Sequence, residues 1–206
     1  KVVEVPDNVT EIGIFAFAYC TKLERVTLPD SIKEIRMGAF YDCQNLKDIK
    51  LPERLEVIRN DAFSNCKSLT DVKLPSGVKT IEKGTFAECT SLKSLQLSDN
   101  TTGIEEIAFN NCISLTSVYL PNSVKTIGSA AFYNCSSLST VRMSEGIESV
   151  GENAFWGTEF LKSGMADEYG SVYLGKVLLY NKGLNSAVIV KDSTKIIANA
   201  AFINNY

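Results

Sequence analysis

The apolar positions of this chain recur at a fixed interval of 23 residues. Seven phenylalanines follow one another at that interval, and an eighth comes 47 residues later, which is two intervals plus one residue. The six cysteines form a second column, and the five prolines form a third. A period of this length predicts a solenoid of stacked repeats. The two columns that we expect to stack in its core are Phe17, Phe40, Phe63, Phe86, Phe109, Phe132, Phe155 and Phe202, and Cys20, Cys43, Cys66, Cys89, Cys112 and Cys135.

Within each repeat the spacing of apolar residues changes. Val72 and Leu74 stand two apart, which predicts a short strand with one buried face. Pro75 follows and lacks a donor for the sheet, so the strand should end there. A second short extended segment is predicted at residues 78–81. The phenylalanine and cysteine that come next are three residues apart, a spacing that fits one turn of 3₁₀- or α-helix.

The cysteines are predicted to be buried thiols that fill space behind the phenylalanines. Thiols stacked one per coil would lie about 4.8 Å apart, but side chains that leave their coils in parallel cannot adopt the torsion of a disulfide. The close cysteine pairs of zinc sites are absent from the sequence, which also contains no histidine. We therefore expect packing residues rather than ligands or nucleophiles.

Composition and charge exclude several classes of function. The net charge of −3 and the pI near 5.2 argue against nucleic-acid binding. No apolar run approaches the length of a membrane span, so no membrane insertion is expected. Without histidine the Ser-His and Cys-His nucleophilic arrangements are impossible, and glycine-rich phosphate-binding motifs are missing. We predict a protein that is not an enzyme.

The unit x-x-L-x-x-V-x-L-P-x-x-L/V-x-x-I-x-x-x-A-F-x-x-C resembles the BspA-type leucine-rich repeat, a class with 23-residue units. The resemblance runs from Val3 to Phe202 except for one insertion. It implies an α/β fold, namely a right-handed leucine-rich-repeat solenoid of about eight 23-residue coils. Short parallel strands, short helical or 3₁₀ turns and one inserted β-hairpin are expected. Thr101 departs from the motif by replacing Val or Ile, and Thr158 by replacing a seventh cysteine.

A single domain over residues 1–206 follows from this resemblance. It divides into regular repeats at 1–158, an inserted hairpin at about 159–183, and a final, truncated repeat at about 184–206. Both ends stop where another coil would begin, so we expect either a segment of a longer protein or end-to-end self-association of the uncapped solenoid.

The resemblance also implies a function, which is non-catalytic binding without a cofactor, at the cell surface or outside the cell. Expected partners are proteins, such as host matrix or other cell-surface proteins, or glycans. The alternative is a structural spacer that presents another domain of a larger surface protein.

One candidate partner-binding surface lies beside the predicted strands. In a solenoid of this type, the residues that flank the central strand position face the concave surface. One such column includes Lys73, Gln96, Tyr119 and Arg142. Tyrosine and arginine are favoured anchors in interfaces, so a docking strip centred on Tyr119 and Arg142 is one interpretation. A solvated face of mixed charge is the other.

The insertion is the second candidate surface. Its strands flank Gly175-Lys176, and a pair with glycine first favours a type II′ hairpin turn. The region is rich in aromatic residues, including Trp156, Tyr173 and Tyr180. Either these side chains pack against the solenoid and are partly core, or the hairpin binds a partner.

Overall fold

The computed structural model describes residues 1–142, 145–163, 166–182 and 189–202. Seventeen strands and one short helix lie within these residues. In chain order they are β1 (Val2–Glu4), β2 (Glu11–Ile12), β3 (Arg25–Thr27), β4 (Glu34–Ile35), β5 (Asp48–Ile49), β6 (Val57–Ile58), β7 (Asp71–Lys73), β8 (Thr80–Ile81), β9 (Ser94–Gln96), β10 (Gly103–Ile104), β11 (Ser117–Tyr119), β12 (Thr126–Ile127), β13 (Thr140–Arg142), β14 (Ser149–Val150), α1 (Glu159–Ser163), β15 (Ser171–Leu174), β16 (Val177–Asn181) and β17 (Ile196–Ile197).

The strands form two parallel sets, as the repeat predicts. Odd-numbered strands from β1 to β13 make the first set, and even-numbered strands from β2 to β14 make the second. Where strands of neighbouring coils pair, each residue lies opposite the equivalent residue of the next repeat, as in the pairs Val72 with Leu95 and Ile104 with Ile127. The predicted solenoid of about eight 23-residue coils is therefore confirmed.

The first set presents one side chain to the core and two to solvent. In β7 the central Val72 is buried, while Asp71 and Lys73 on either side are exposed. The same alternation recurs in β3, β9, β11 and β13. This is the period of two that the apolar spacing predicted, and it places the flanking residues on a solvent-facing surface, which we call the strand face.

The segment that links each strand of the second set to the next strand of the first set contains single hydrogen-bonded turns rather than a helix. Successive backbone N–H groups donate alternately to a carbonyl of their own coil and to one of the next coil. Ser64 donates to Asp61 O at 3.1 Å, whereas Phe63 donates to Thr85 O at 2.9 Å. Two residues four apart have positive φ, here Asp61 at 56° and Asn65 at 62°. Because a left-handed residue cannot continue a right-handed helix, the expected helical segment is divided into separate turns.

The phenylalanines stack along the solenoid. The rings of neighbouring coils from Phe17 to Phe155 have centroids 5.2–5.5 Å apart and planes within 2–7° of parallel. We call these seven rings the phenylalanine stack. Each ring from Phe40 to Phe132 stacks on a ring of the coil on either side, so the stack couples the coils between Phe17 and Phe155.

The cysteines do more than fill space. Cys66 Sγ donates a hydrogen bond of 3.2 Å to the carbonyl of Phe40 in the preceding coil, and that carbonyl also accepts the N–H of Cys43. The four equivalent thiols, those of Cys43, Cys89, Cys112 and Cys135, bond in the same way at 3.0–3.3 Å. These five thiols are buried and free, whereas Cys20 in the first coil is exposed.

The regular array ends at Thr158, in the seventh cysteine position. Its hydroxyl donates to Phe155 O at 2.6 Å and accepts the N–H of Leu161 at 3.2 Å, so it caps the start of α1. Phe160 in this helix places its ring edge-on to Phe155, with centroids 6.3 Å apart. Phe202, expected in the stack, is half-buried and makes no ring contact with Phe155 in the described part of the chain, because the insertion intervenes.

The inserted hairpin is part of the sheet structure. Strands β15 and β16 are antiparallel, and only the first residue of their turn, Gly175, has positive φ, at 58°, as a type II′ turn requires. Strand β16 then pairs in parallel with β17, with Val177 opposite Ile196. The hairpin therefore takes the place of a coil beside the last repeat, of which residues 184–188 and 203–206 lie outside the described residues.

Thr101 provides a test of the core. It is fully buried in the column that holds Val78 and Val124 in neighbouring coils, and its hydroxyl has no hydrogen-bond partner among the described residues. A buried, unsatisfied hydroxyl costs about 1–3 kcal/mol. We therefore expect Thr101→Val to raise the free energy of unfolding by about 1 kcal/mol, measured by urea denaturation.

The neighbouring Thr102 is the matched control. It is exposed, and its hydroxyl donates to Lys79 O at 3.1 Å. Thr102→Val removes a satisfied hydroxyl and should not stabilise the chain. Equal gains from both variants would show that the effect comes from β-propensity rather than from the buried hydroxyl of Thr101.

Candidate functional site

Tyr119 and Arg142 lie side by side on the strand face. They end β11 and β13, and the register of these strands pairs them directly. Val118 and Val141, which precede them, are buried, so both larger side chains project to solvent. Tyr119 is 66% exposed. An aromatic ring and a guanidinium group are thus presented next to each other.

An open groove runs beside this pair. Tyr119 and Arg142 line it together with Leu174, the last residue of β15 in the inserted hairpin. The remaining polar lining comes from Asp99, Asn122, Ser123 and Glu145. The two surfaces that the sequence predicted separately, the strand face and the hairpin, therefore meet at one groove.

Charges of both signs surround the groove. Lys176 Nζ in the hairpin turn lies 3.1 Å from Glu145 Oε2. The hydrogen bond from Lys176, together with its positive charge, lowers the pKa of the Glu145 carboxyl below its ordinary value. With Arg142 and Asp99 also present, the groove has a mixed polar lining and suits a partner that presents both charges.

Lys73 and Gln96 occupy the same column but lie away from the groove. They are exposed and pair with each other in the register of β7 and β9. They extend the strand face toward the middle of the solenoid without lining the concavity beside Tyr119. The described strands thus pair Lys73 with Gln96 and Tyr119 with Arg142, but these two pairs belong to separate two-stranded sheets. Only the Tyr119–Arg142 pair borders the groove.

The three aromatic candidates near the hairpin differ in their surroundings. Tyr173 is half-buried; its hydroxyl accepts the backbone N–H of Lys191 at 3.1 Å, and Lys191 Nζ lies 4.3 Å from its ring centroid. Tyr180 is half-buried and contacts Trp156 edge to face, with centroids 5.3 Å apart. Trp156 itself is 42% exposed. The tyrosines thus help to pack the hairpin on the solenoid, and the indole remains accessible.

A second column of polar residues was not predicted. The residue before each cysteine from Cys43 onward has positive φ, and its side chain reaches the equivalent residue of a neighbouring coil: Asn65 donates to Asp42, Asn111 to Glu88 and Asn134 to Asn111. Asparagine and aspartate are enriched at such backbone positions. The recurrence of asparagine and aspartate before cysteine could therefore have predicted the left-handed backbone at these positions.

The first coil exposes apolar surface at the end of the solenoid. A hollow there is lined by Val3, Phe17 and Leu23, with the 66% exposed Tyr19 at its edge. This is the face that end-to-end association would use, and such association stays a prediction.

Metal binding and membrane insertion find no support among the described residues. Across the described ranges, no group of three or more cysteine, aspartate and glutamate side chains is arranged to hold a metal ion. Within those same residues, no helix has the length and apolar character needed to cross a membrane.

Comparison with known families decides the relationship. The BspA type leucine rich repeat region matches in six copies, over residues 1–104, 56–169 and 79–206. The chain belongs to the BspA-type leucine-rich repeat family. The expectation drawn from the repeat motif is thus confirmed, and this BspA-type chain is a repeat protein-interaction module. No curated protein gives a significant match.

Solved structures of bacterial proteins resemble this BspA-type chain. A T. pallidum leucine-rich repeat protein is 33% identical, with 72% of this chain and 71% of that one covered and a TM-score of 0.67. A leucine rich cell surface protein from Faecalibacterium prausnitzii is 30% identical over 97% of this chain and 57% of its own, with a TM-score of 0.69. The pneumococcal vaccine antigen PcpA is 25% identical over 100% of this chain and 53% of its own, with a TM-score of 0.65. The chain spans little more than half the length of the last two.

Proposed function

We propose that this chain is a non-catalytic binding module, displayed at the cell surface or outside the cell, that attaches to a protein through the groove beside Tyr119 and Arg142. Adhesion to host matrix or to other cell-surface proteins is the role that this site would serve. The observation that carries the proposal is the meeting of Tyr119, Arg142 and Leu174 at one groove.

The chemistry of the groove supports a protein partner. Interfaces concentrate their binding energy in a few tyrosine, tryptophan and arginine side chains surrounded by a polar rim. Tyr119 and Arg142 would be the anchors, Leu174 an apolar contact, and the rim would include Asp99 and Glu145. The strands beneath hold the backbone of both anchors in register, so binding needs to order only their side chains.

The location at the surface is supported by the relatives. One of them is described as a cell surface protein and another as a vaccine antigen. Both are longer than this chain, so the location and partners of the whole proteins come to it only as part of the proposal.

We expect Tyr119→Ala and Arg142→Ala each to weaken partner binding at least tenfold, because truncating an interface anchor commonly costs about 2 kcal/mol or more. Binding would be measured by biolayer interferometry against collagen, fibronectin, laminin and other matrix proteins. Measurements at about 0.15 M and 0.5 M salt separate a packed interface from attraction between exposed charges, which the higher salt screens.

Lys50→Ala is the matched control, since Lys50 is an exposed residue of the same column three coils before Tyr119. Its removal should leave the affinity unchanged. Equal losses at Lys50 and Tyr119 would point to diffuse charge attraction instead. If no protein of the panel binds saturably, the structural spacer becomes the better interpretation.

A further inference from the structure

A small hollow lies where the regular array of coils stops. Its floor includes Phe155, the last ring of the phenylalanine stack, and Leu179 of β16. In the regular coils the next ring covers each phenylalanine face to face, but here Phe160 meets Phe155 only at its edge. The hollow therefore lies where the inserted hairpin replaces a coil.

One wall of the hollow is aromatic. Trp156 and Tyr180 both line it, and they contact each other edge to face at an interplanar angle of 78°. Tyr180 belongs to β16, which is paired on both sides, so the contact holds the indole against a rigid element. Trp156 nevertheless keeps 42% of its surface exposed. An aromatic face carries partial negative charge and attracts weakly positive C–H groups.

Two asparagines, Asn153 and Asn199, also line the hollow. Both residues are exposed. Asn153 Nδ2 donates to Oε1 of the neighbouring Glu152 at 3.3 Å. The backbone N–H of Asn199 donates to Val150 O at 3.1 Å, which holds Asn199 against the coil that contains Val150. A carboxamide both donates and accepts hydrogen bonds. The two asparagines can therefore bind a hydroxyl group that acts either as donor or as acceptor.

The charge and size of the hollow restrict the ligand. None of its lining residues that the structure describes is charged, so it offers no counter-charge for a phosphate, sulfate or carboxylate. Its interior volume is about 20 Å³, which holds about one water molecule. A ligand cannot be enclosed there and must lie across the rim, with at most one small group inserted.

We propose that Trp156, Tyr180, Asn153 and Asn199 form a binding site for a neutral saccharide. A pyranose ring stacks its C–H face on the indole, and its hydroxyls bond to the two carboxamides. This site is separate from the groove beside Tyr119 and goes beyond the protein-binding function proposed for that groove.

The test uses the intrinsic fluorescence of the whole chain, because Trp156 is its sole tryptophan. The probes are glucose, galactose, mannose and N-acetylglucosamine, with short neutral oligosaccharides of each. We expect a saturable spectral change for at least one of them, with a Kd on the order of 1 mM for a monosaccharide, and no loss of affinity at 0.5 M salt.

Variants of the two asparagines distinguish a site from a surface effect. Asn153 has φ of 55°, so Asn153→Gly removes the carboxamide without straining the backbone. Asn153→Gly combined with Asn199→Ala should weaken saccharide binding at least tenfold while Trp156 still reports. Tyr119→Ala is the control at the other site and should leave saccharide binding unchanged, so the two proposals can fail separately.

The proposal is overturned if none of these neutral saccharides gives a saturable change, or if the double asparagine variant binds as well as the unaltered chain. A response confined to sialylated or sulfated saccharides would also overturn it, since the hollow would then recognise charge. Saturation-transfer NMR on Trp156→Ala provides the second measurement, and saccharide contact retained in that variant would place binding elsewhere.

Discussion

Replacing Phe86 by alanine is expected to lower the free energy of unfolding by about 4 kcal/mol. Phe86 is 1% exposed and stacks between Phe63 and Phe109, with centroid distances of 5.4 and 5.5 Å. The substitution removes the buried ring and leaves a cavity that two flat neighbours cannot fill. Since the stack joins adjacent coils, the loss falls on the interfaces on which a solenoid depends.

Phe17→Ala is the control for this prediction. Phe17 is half-buried and stacks on a single ring, that of Phe40, so its removal should cost less than half as much. Urea denaturation followed by circular dichroism measures both variants, and a change of slope would reveal that coils unfold separately. Equal losses at the two positions would contradict a role of the stack in coupling coils.

The second large effect is loss of stability at alkaline pH. Burial raises the pKa of the Cys43 and Cys89 thiols to about 12, and burial also raises the pKa of Cys66 and Cys112 well above the ordinary value. An unfolded thiol has a pKa of about 8.5. Above that pH the unfolded chain loses protons that the folded chain retains, so ionisation favours unfolding.

The sign and size follow from proton linkage. Stability is unaffected by these thiols below about pH 8.5 and falls as pH rises toward about 12, by about 1.4 kcal/mol per pH unit for each thiol. At pH 10, Cys43 and Cys89 would each have removed about 2 kcal/mol. Cys66 and Cys112 act in the same direction, so the loss for the whole chain is larger than that of either thiol alone.

Urea denaturation at several values between pH 8 and pH 10, under reducing conditions, measures this slope. Cys89→Ala should make it shallower by about 1.4 kcal/mol per pH unit, whatever its effect on stability at pH 8. Cys20→Ala, at the exposed cysteine, should leave the slope unchanged. A stability that is flat up to pH 10 would show that the buried thiols ionise without unfolding.

The architecture was predictable because a solenoid places equivalent residues of successive coils in contact. Once the 23-residue interval was recognised, columns in the sequence became columns in space. The stack from Phe17 to Phe155 and the pairing of Val72 with Leu95 follow directly. Tyr119 and Arg142 could be predicted as neighbours for the same reason, since they stand one repeat apart.

The hydrogen-bond pattern of the core was less accessible to sequence reasoning. Apolar spacing identified the cysteines as buried, but the bond from Cys66 Sγ to the carbonyl of Phe40 depends on the backbone direction between coils. The left-handed residues before the cysteines could have been inferred from the asparagines at Asn65, Asn111 and Asn134. The three-residue spacing of phenylalanine and cysteine indicated a helix instead. That spacing also fits a single turn, in which residues i and i+3 lie close together.

The sequence by itself determined the repeat, the two sets of strands, the phenylalanine and cysteine columns and the exposed strand face. These all result from contacts between residues at one constant separation. Only the tertiary structure decided that Leu174 would border the groove beside Tyr119, that β16 would pair with β17, and that Phe160 rather than Phe202 would meet Phe155. The insertion interrupts the constant separation, so its contacts depend on how the hairpin packs, and no period in the sequence specifies that packing.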